Sequence, residues 1–163
     1  MQALAQWLAD TSLSQGLQRA LWLIILLQTV HILGIAMVLS SVAMVELRIL
    51  GFASAQTMTQ TARRFMPWIW TGLVVLATTG VGLVIGEPRR TFDNNPAFQI
   101  KIFMLAIAVA MTIAFQVSLR QNAGLWKAVP SSRKTVSALA IVTFMLWLAI
   151  AVAGRWIAYV REG

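Results

Sequence analysis

The 163-residue chain has no cysteine and few charged residues, and both absences restrict what it can be. Without cysteine it has no disulfide framework and no thiolate nucleophile or metal ligand. Only 11% of its residues are charged and 59% are apolar, whereas a soluble domain has about 25% charged residues. A water-soluble enzyme and an intrinsically disordered chain therefore fit poorly, and an integral membrane protein is expected.

Acids and histidines are scarce as well, with five Asp and Glu residues and one histidine. No carboxylate dyad, nucleophile–base pair or nucleotide motif can be assembled from them, so we expect the protein not to be an enzyme. A closed zinc or copper site within one chain is implausible for the same reason. All five acids are predicted to lie outside the membrane core, where a local ion pair or lipid contact would explain Glu46.

Four apolar stretches are long enough to cross a bilayer, whose hydrocarbon core of about 30 Å needs roughly 20 helical residues. They cover about residues 20–45, 67–85, 97–118 and 136–157, and Pro67 is predicted to open the second helix. Residues 1–16 are predicted to form a short amphipathic helix in the headgroup layer, anchored by Trp7. The expected fold is one all-α integral membrane domain over residues 1–163, a four-transmembrane-helix bundle with an N-terminal interfacial helix.

Basic residues exceed acidic ones by 13 to 5, which gives a formal net charge of +8. At this hydropathy we expect the partner of that charge to be a bilayer with anionic lipids and not nucleic acid. The loops after the first and third spans, which share one side of the membrane, carry seven basic residues. The segments on the other side carry four, not counting Lys101 and Arg155, which lie inside the spans. The positive-inside rule then predicts that these two loops lie in the cytoplasm and that both termini lie on the outer side of the membrane.

His31 lies near the middle of the first span, about 16 Å from its outer end at 1.5 Å per residue. An ionisable side chain at that depth is a candidate functional group. Gln28 and Gly34 lie about one turn to either side, on a face that could approach a helix or a flat ligand closely. Two interpretations stay open: a cofactor contact, or a neutral imidazole hydrogen-bonded to Gln28, a threonine or a carbonyl.

Haem b is the metal cofactor considered, with His31 as a metal ligand only if the metal is haem iron, since a His/Met pair can ligate it. Depth arithmetic places His31 level with about Ala108, which Met104 and Met111 flank on one helix face. Lys101 and Arg155 are candidates for holding an anionic group, a quinone oxygen or a haem propionate. The alternatives are packing for the methionines and snorkelling to the headgroups for the two cations.

The second span carries a row of small residues, and close packing against another helix is the favoured interpretation. A ligand groove along the same stripe is the alternative. Its members are Gly72, Thr79, Gly82 and Gly86.

An ordered set of motifs resembles a domain-of-unknown-function family of small bacterial four-span membrane proteins. The set is His31-x-x-Gly34, Glu46-Leu47-Arg48-Ile49-Leu50-Gly51, Arg64 to Pro67-Trp68, Thr79-Gly80, and Asn95-Pro96-Ala97-Phe98 followed by Lys101. The first span and the entry to the third are also distantly similar to copper-resistance D membrane proteins and their b-type cytochrome relatives. Those relatives use further histidines that this chain lacks, so the resemblance implies the topology and no established activity.

Three functional hypotheses follow from these residues. The first is a non-catalytic redox or cofactor-binding membrane subunit, in which His31 ligates haem b or contacts a quinone. The second is a small transporter or channel in which His31 relays protons or acts as a gate. The third is a structural subunit of a larger membrane complex or a homo-oligomer.

Overall fold

The computed structural model describes residues 6–7, 9–52, 55–86, 96–121, 126 and 134–156, without the side chains of 13, 96, 97, 155 and 156. Its regular structure consists of helices, and four of them are long and apolar enough to cross a membrane. We number the helices α1 (Ser12–Arg19), α2 (Leu21–Ile49), α3 (Met58–Gly86), α4 (Pro96–Gln121) and α5 (Lys134–Trp156). The predicted all-α, four-helix membrane bundle is confirmed.

The described N-terminal helix, α1, begins at Ser12, where the hydroxyl of Thr11 caps it by accepting a hydrogen bond from the backbone N–H of Ser14. Residues 1–5 and 8 of the predicted interfacial helix lie outside the described residues. The hydroxyl of Ser14 is fully buried and donates to the carbonyl of Ile85 at 2.7 Å. Because that carbonyl is in the last turn of α3, α1 lies across the end of the α2–α3 pair, which we name the Gly86 end.

The second long helix begins nine residues earlier than the sequence predicted, at Met58, so Pro67 lies inside α3 and does not open it. The added turns are helical because they present a buried apolar face at helical spacing, with Met58, Ala62 and Met66 in the core. Pro67 has no N–H to donate to the carbonyl four residues earlier in the helix. Because Pro67 is exposed, that carbonyl lies on the outer surface of the bundle.

Helices α2 and α3 form the closest helix pair of the bundle. A Cβ at Gly72 would lie 2.5 Å from Cγ2 of Val38, and a Cβ at Gly34 would lie 3.1 Å from Cδ2 of Leu76. These two helices can therefore approach this closely only because glycine stands at both positions. The packing interpretation of the small-residue row is confirmed at Gly72.

The four long helices enclose one interior. Helix α2 packs against α3 on one side and α5 on the other, and α4 packs against α5. A hydrogen bond of 3.1 Å from the indole N–H of Trp70 to the amide oxygen of Gln116 joins α3 to α4. Toward the opposite end of the bundle, which we name the Ile49 end, valines of α2 meet Met58, Ala62 and Ile69 of α3 in a continuous apolar core.

Candidate functional site

The imidazole of His31 is held by a hydrogen bond between α2 and α3. Its Nδ1 lies 2.7 Å from Oγ1 of Thr79, and this hydroxyl lies 2.6 Å from the carbonyl oxygen of Val75. The Thr79 hydroxyl donates its one proton to that carbonyl, so it accepts from His31 and Nδ1 carries the imidazole proton. Nε2 is then left with a free lone pair, and no described residue is bonded to it.

The backbone of α3 forms one wall of this site. A Cβ at Gly80 would lie 3.6 Å from Cε1 of His31, so the imidazole packs directly beside the helix at this glycine. Thr79 itself is buried between the two helices. The ring is therefore held by the hydrogen bond at Nδ1, and its Cε1 lies near the backbone of α3 at Gly80.

Contacts between the helices show which residues share the depth of His31. Trp70 of α3 meets Gln116 of α4, and counting nine residues along each antiparallel helix places Thr79 level with Ile107, the neighbour of Ala108. Lys101 of α4 meets Gly154 of α5, and counting seven residues along each places Ala108 beside Trp147. We name these four residues, His31, Thr79, Ala108 and Trp147, the His31 layer.

Trp147 contributes an unusual polar atom to the His31 layer. The residue is 3% exposed, and its Nε1 is enclosed with no hydrogen-bond partner among the described residues. Ala108, which is 0% exposed, leaves room for the indole on the opposite helix. An indole N–H is a donor only, and native proteins leave few buried donors unpaired. The layer thus holds a free acceptor, Nε2 of His31, and a free donor, Nε1 of Trp147.

Lys101 lies seven residues from Ala108 on the same stripe of α4, toward the Gly86 end. A Cβ at Gly154 would lie 3.0 Å from its Nζ, so the lysine side chain crosses α5 at the one position that lacks a side chain. Its ammonium group lies against Gly154 and has no hydrogen bond or ion pair within the described part of the chain. The cation therefore faces the same interior as the imidazole.

The other predicted site residues lie in different places. Gln28 is exposed and has no hydrogen bond to His31 among the described residues, and Gly34 is buried against α3 as a packing residue. The sulfur of Met111 accepts from the hydroxyl of Thr143 at 4.0 Å, and Met104 packs against the apolar core. Arg155 belongs to α5, but its side chain lies outside the described residues.

Glu46 differs from its predicted environment. It is buried near the Ile49 end, and its Oε2 has no hydrogen-bond partner among the residues that the structure describes. The local ion pair with Arg48 is not formed, because the Arg48 Nε–H donates to the carbonyl of Gln56 beyond the helix end. Because Glu46 stands at the end of an apolar run, the sequence indicated an acid at the membrane interface. The rotation of α2 turns its side chain toward the bundle interior instead.

Two members of the His31 layer had no specific role in the sequence interpretation. Thr79 stood in the small-residue row, and a threonine was only one of three classes of partner considered for His31. Trp147 shares a seven-residue apolar spacing with Ala140 and Gly154 on α5, a pattern that indicates an inward-facing stripe. Spacing alone does not show that its N–H lacks a partner.

No family model, curated protein or solved structure matches the chain. The resemblance to a family of four-span bacterial membrane proteins therefore stays a prediction. Function has to be argued from the His31 layer itself.

Proposed function

We propose that the chain is a non-catalytic membrane subunit that binds a redox cofactor, a quinone or haem b, at the His31 layer. The observation that carries the proposal is the pairing of Nδ1 of His31 with Thr79, which leaves Nε2 available as an acceptor at mid-membrane depth. A histidine that binds a metal or a cofactor commonly donates its other ring N–H to a fixed acceptor, which orients the ring and selects the tautomer.

A quinone fits the polar groups at this end of the interior. Nε2 of His31 can accept a hydrogen bond from a hydroxyl group, and the ammonium group of Lys101 can donate one to an oxygen. The exposed apolar surfaces of α2 and α4 are suited to contact with lipid, in which a quinone dissolves. When bound, a quinone supplies reversible electron and proton transfer; the protein orients its head group and excludes water.

Haem b is the second cofactor that the site could hold. Nε2 of His31 would be one axial ligand of the iron, with Thr79 fixing the ring. The contacts that the structure gives Met104 and Met111 are to the apolar core and to Thr143, so neither is paired with His31. The described residues thus offer one clear iron ligand, and the quinone is the better-supported cofactor.

Binding is better supported than transport because of what fills the bundle beyond the His31 layer. Between this layer and the Ile49 end, the interior holds apolar side chains such as Val38, Val42 and Ile69, and the buried hydroxyls of Thr112 and Thr143 donate to carbonyls of their own helices. A proton path through the membrane would have to cross this segment. A binding site that ends inside the bundle does not need to cross this segment.

The test is the cofactor content of the protein purified in mild detergent from a bacterial host that makes both haem and quinones. We expect an organic extract of the wild-type protein to contain quinone, or its absorption spectrum to show a Soret band. His31→Ala should lose the cofactor, whereas Gln28→Ala, an exposed polar residue one turn away, should retain it. A wild-type protein with neither cofactor contradicts the proposal.

We further propose that the protein lies in a bacterial inner membrane with both termini on the periplasmic side. The support is the excess of basic residues in the loops after the first and third spans. Because the chain has no cysteine, Gln18→Cys and Gln60→Cys each introduce a single thiol at an exposed site near opposite ends of the bundle. An impermeant maleimide applied to intact spheroplasts should label the first variant and not the second; the reverse pattern would invert the orientation.

A further inference from the structure

The indole N–H of Trp147 is a buried donor that the protein's own described residues do not satisfy. The other interhelical indole shows the contrast, because the N–H of Trp70 donates to Gln116. The interhelical contacts place Trp147 in the same layer as His31. An oxygen atom of a bound molecule would satisfy this N–H once the side chains that enclose it move aside to admit the molecule.

The two free atoms of the layer are complementary. Nε2 of His31 accepts and cannot donate in the tautomer fixed by Thr79, whereas Nε1 of Trp147 donates and cannot accept. A molecule that satisfies both must present a hydroxyl proton to the histidine and an oxygen lone pair to the tryptophan. An oxidised quinone has only acceptor oxygens, but a hydroquinone has two hydroxyl groups, each able to donate and accept.

We propose that Trp147 is a ligand-binding residue that, with His31, selects the hydroquinone form of a lipid-soluble quinone. One hydroxyl of the head group donates to Nε2 of His31, and an oxygen of the same ring accepts from Nε1 of Trp147. This inference rests on the proposed function. It specifies the cofactor as a quinone and the bound redox state as the hydroquinone.

The experiment uses the full chain in detergent with ¹⁵N-labelled tryptophan and histidine and a tail-free benzohydroquinone as the probe. The single histidine gives one ring signal pair, which reports binding at His31 independently of Trp147. Trp147→Phe identifies the Trp147 indole signal, because it removes the N–H together with the five-membered part of the ring. We expect the probe to shift both the histidine signal and the Trp147 indole signal.

Affinity gives a second readout. Trp147→Phe should weaken binding of the probe by about fivefold, which corresponds to about 1 kcal/mol for one neutral hydrogen bond. Trp68→Phe is the matched control, because Trp68 is 55% exposed on the outside of α3, and it should leave the affinity unchanged. The oxidised benzoquinone should bind the wild-type protein more weakly than the hydroquinone does.

The possible results distinguish a failure of the Trp147 inference from a failure of the proposed quinone site at His31. A shifted histidine signal with an unmoved Trp147 indole signal, together with unchanged affinity in Trp147→Phe, overturns the inference and leaves a quinone site at His31. A histidine signal that moves with neither form of the probe overturns the quinone site and the inference together. If Trp147→Phe does not fold, Trp→Phe variants at the other six tryptophans identify the Trp147 signal by elimination, and the wild-type shift decides.

Discussion

The side chain of Lys101 crosses α5 at Gly154, where a Cβ would lie 3.0 Å from its Nζ and 3.3 Å from its Cε. An ordinary van der Waals contact between such atoms is longer, so any larger residue at this position must displace the lysine. A lysine one turn inside a membrane helix normally extends toward the headgroups. Here a glycine on the neighbouring helix gives it a course within the bundle.

Gly154→Ala should therefore move the Lys101 ammonium group out of the bundle and leave the fold intact, because the end of a flexible side chain is what yields. We expect Lys101 to react faster with an impermeant amine-reactive ester, measured by peptide mass spectrometry. Lys134, exposed on α5 at the other end of the bundle, is the internal reference. Gly16→Ala, whose added Cβ meets nothing within 4 Å, is the control variant. Equal labelling of Lys101 in both variants would refute this account of Gly154.

Thr79→Val should disorder the imidazole, because it removes the hydroxyl that accepts from Nδ1 and keeps the shape of the side chain. The ¹⁵N signals of the single histidine should change from one fixed tautomer to a mixture of two, and cofactor affinity should fall by about tenfold or more. Thr79→Ser should restore both. Thr78→Val is the matched control, since the Thr78 hydroxyl is exposed and bonds only to carbonyls of its own helix; an equal effect at Thr78 would point to helix stability and not to His31.

The existence of four spans could be predicted from the sequence because hydrophobic length decides insertion, and the apolar runs are unambiguous. The start of α3 could not be predicted, because the hydropathy is low before Pro67 although the helix already begins at Met58. Met58 and Met66 are buried by neighbouring helices, a tertiary contact that a window of hydropathy does not contain. Pro67 was wrongly predicted to open the helix, where a missing N–H costs nothing; it lies within α3 on an exposed face.

The sequence could predict how deep in the membrane the candidate site residues lie, but not which way their side chains face. Counting residues from the helix ends placed Ala108 at the level of His31, and the interhelical contacts place it in that layer. Helix rotation is set by packing, however, and it turns Gln28 outward and Glu46 inward. The partner of Nδ1 depends on a side-chain rotamer of Thr79 on another helix, which no spacing along α2 can indicate.

Gly72→Ala should destabilise the α2–α3 pair, because the added Cβ would lie 2.5 Å from Cγ2 of Val38. Overpacking of a close contact costs about 1–3 kcal/mol, which a denaturing-detergent titration can measure. Val38→Ala in the same chain should recover part of the loss by removing the clashing methyl groups. Gly86→Ala is the control on the same helix, since its Cβ would meet Ile24 at an ordinary 3.8 Å. A Gly72→Ala protein as stable as the wild type would contradict the close approach.

Glu46→Leu should stabilise the isolated protein, because Oε2 of Glu46 is buried beside an apolar core without a partner in the described chain. Leaving a buried polar atom unpaired costs about 1–3 kcal/mol, and a leucine of similar size removes that cost. Glu46→Gln keeps polar atoms in the same place, so it should give a smaller gain in the same denaturing-detergent titration. Stability that falls with leucine and is kept with glutamine would show instead that the buried oxygen makes a hydrogen bond in the membrane. The expected gain with leucine would instead mark Glu46 as a carboxyl group retained at a cost to folding, and thus as a second candidate polar site, near the Ile49 end.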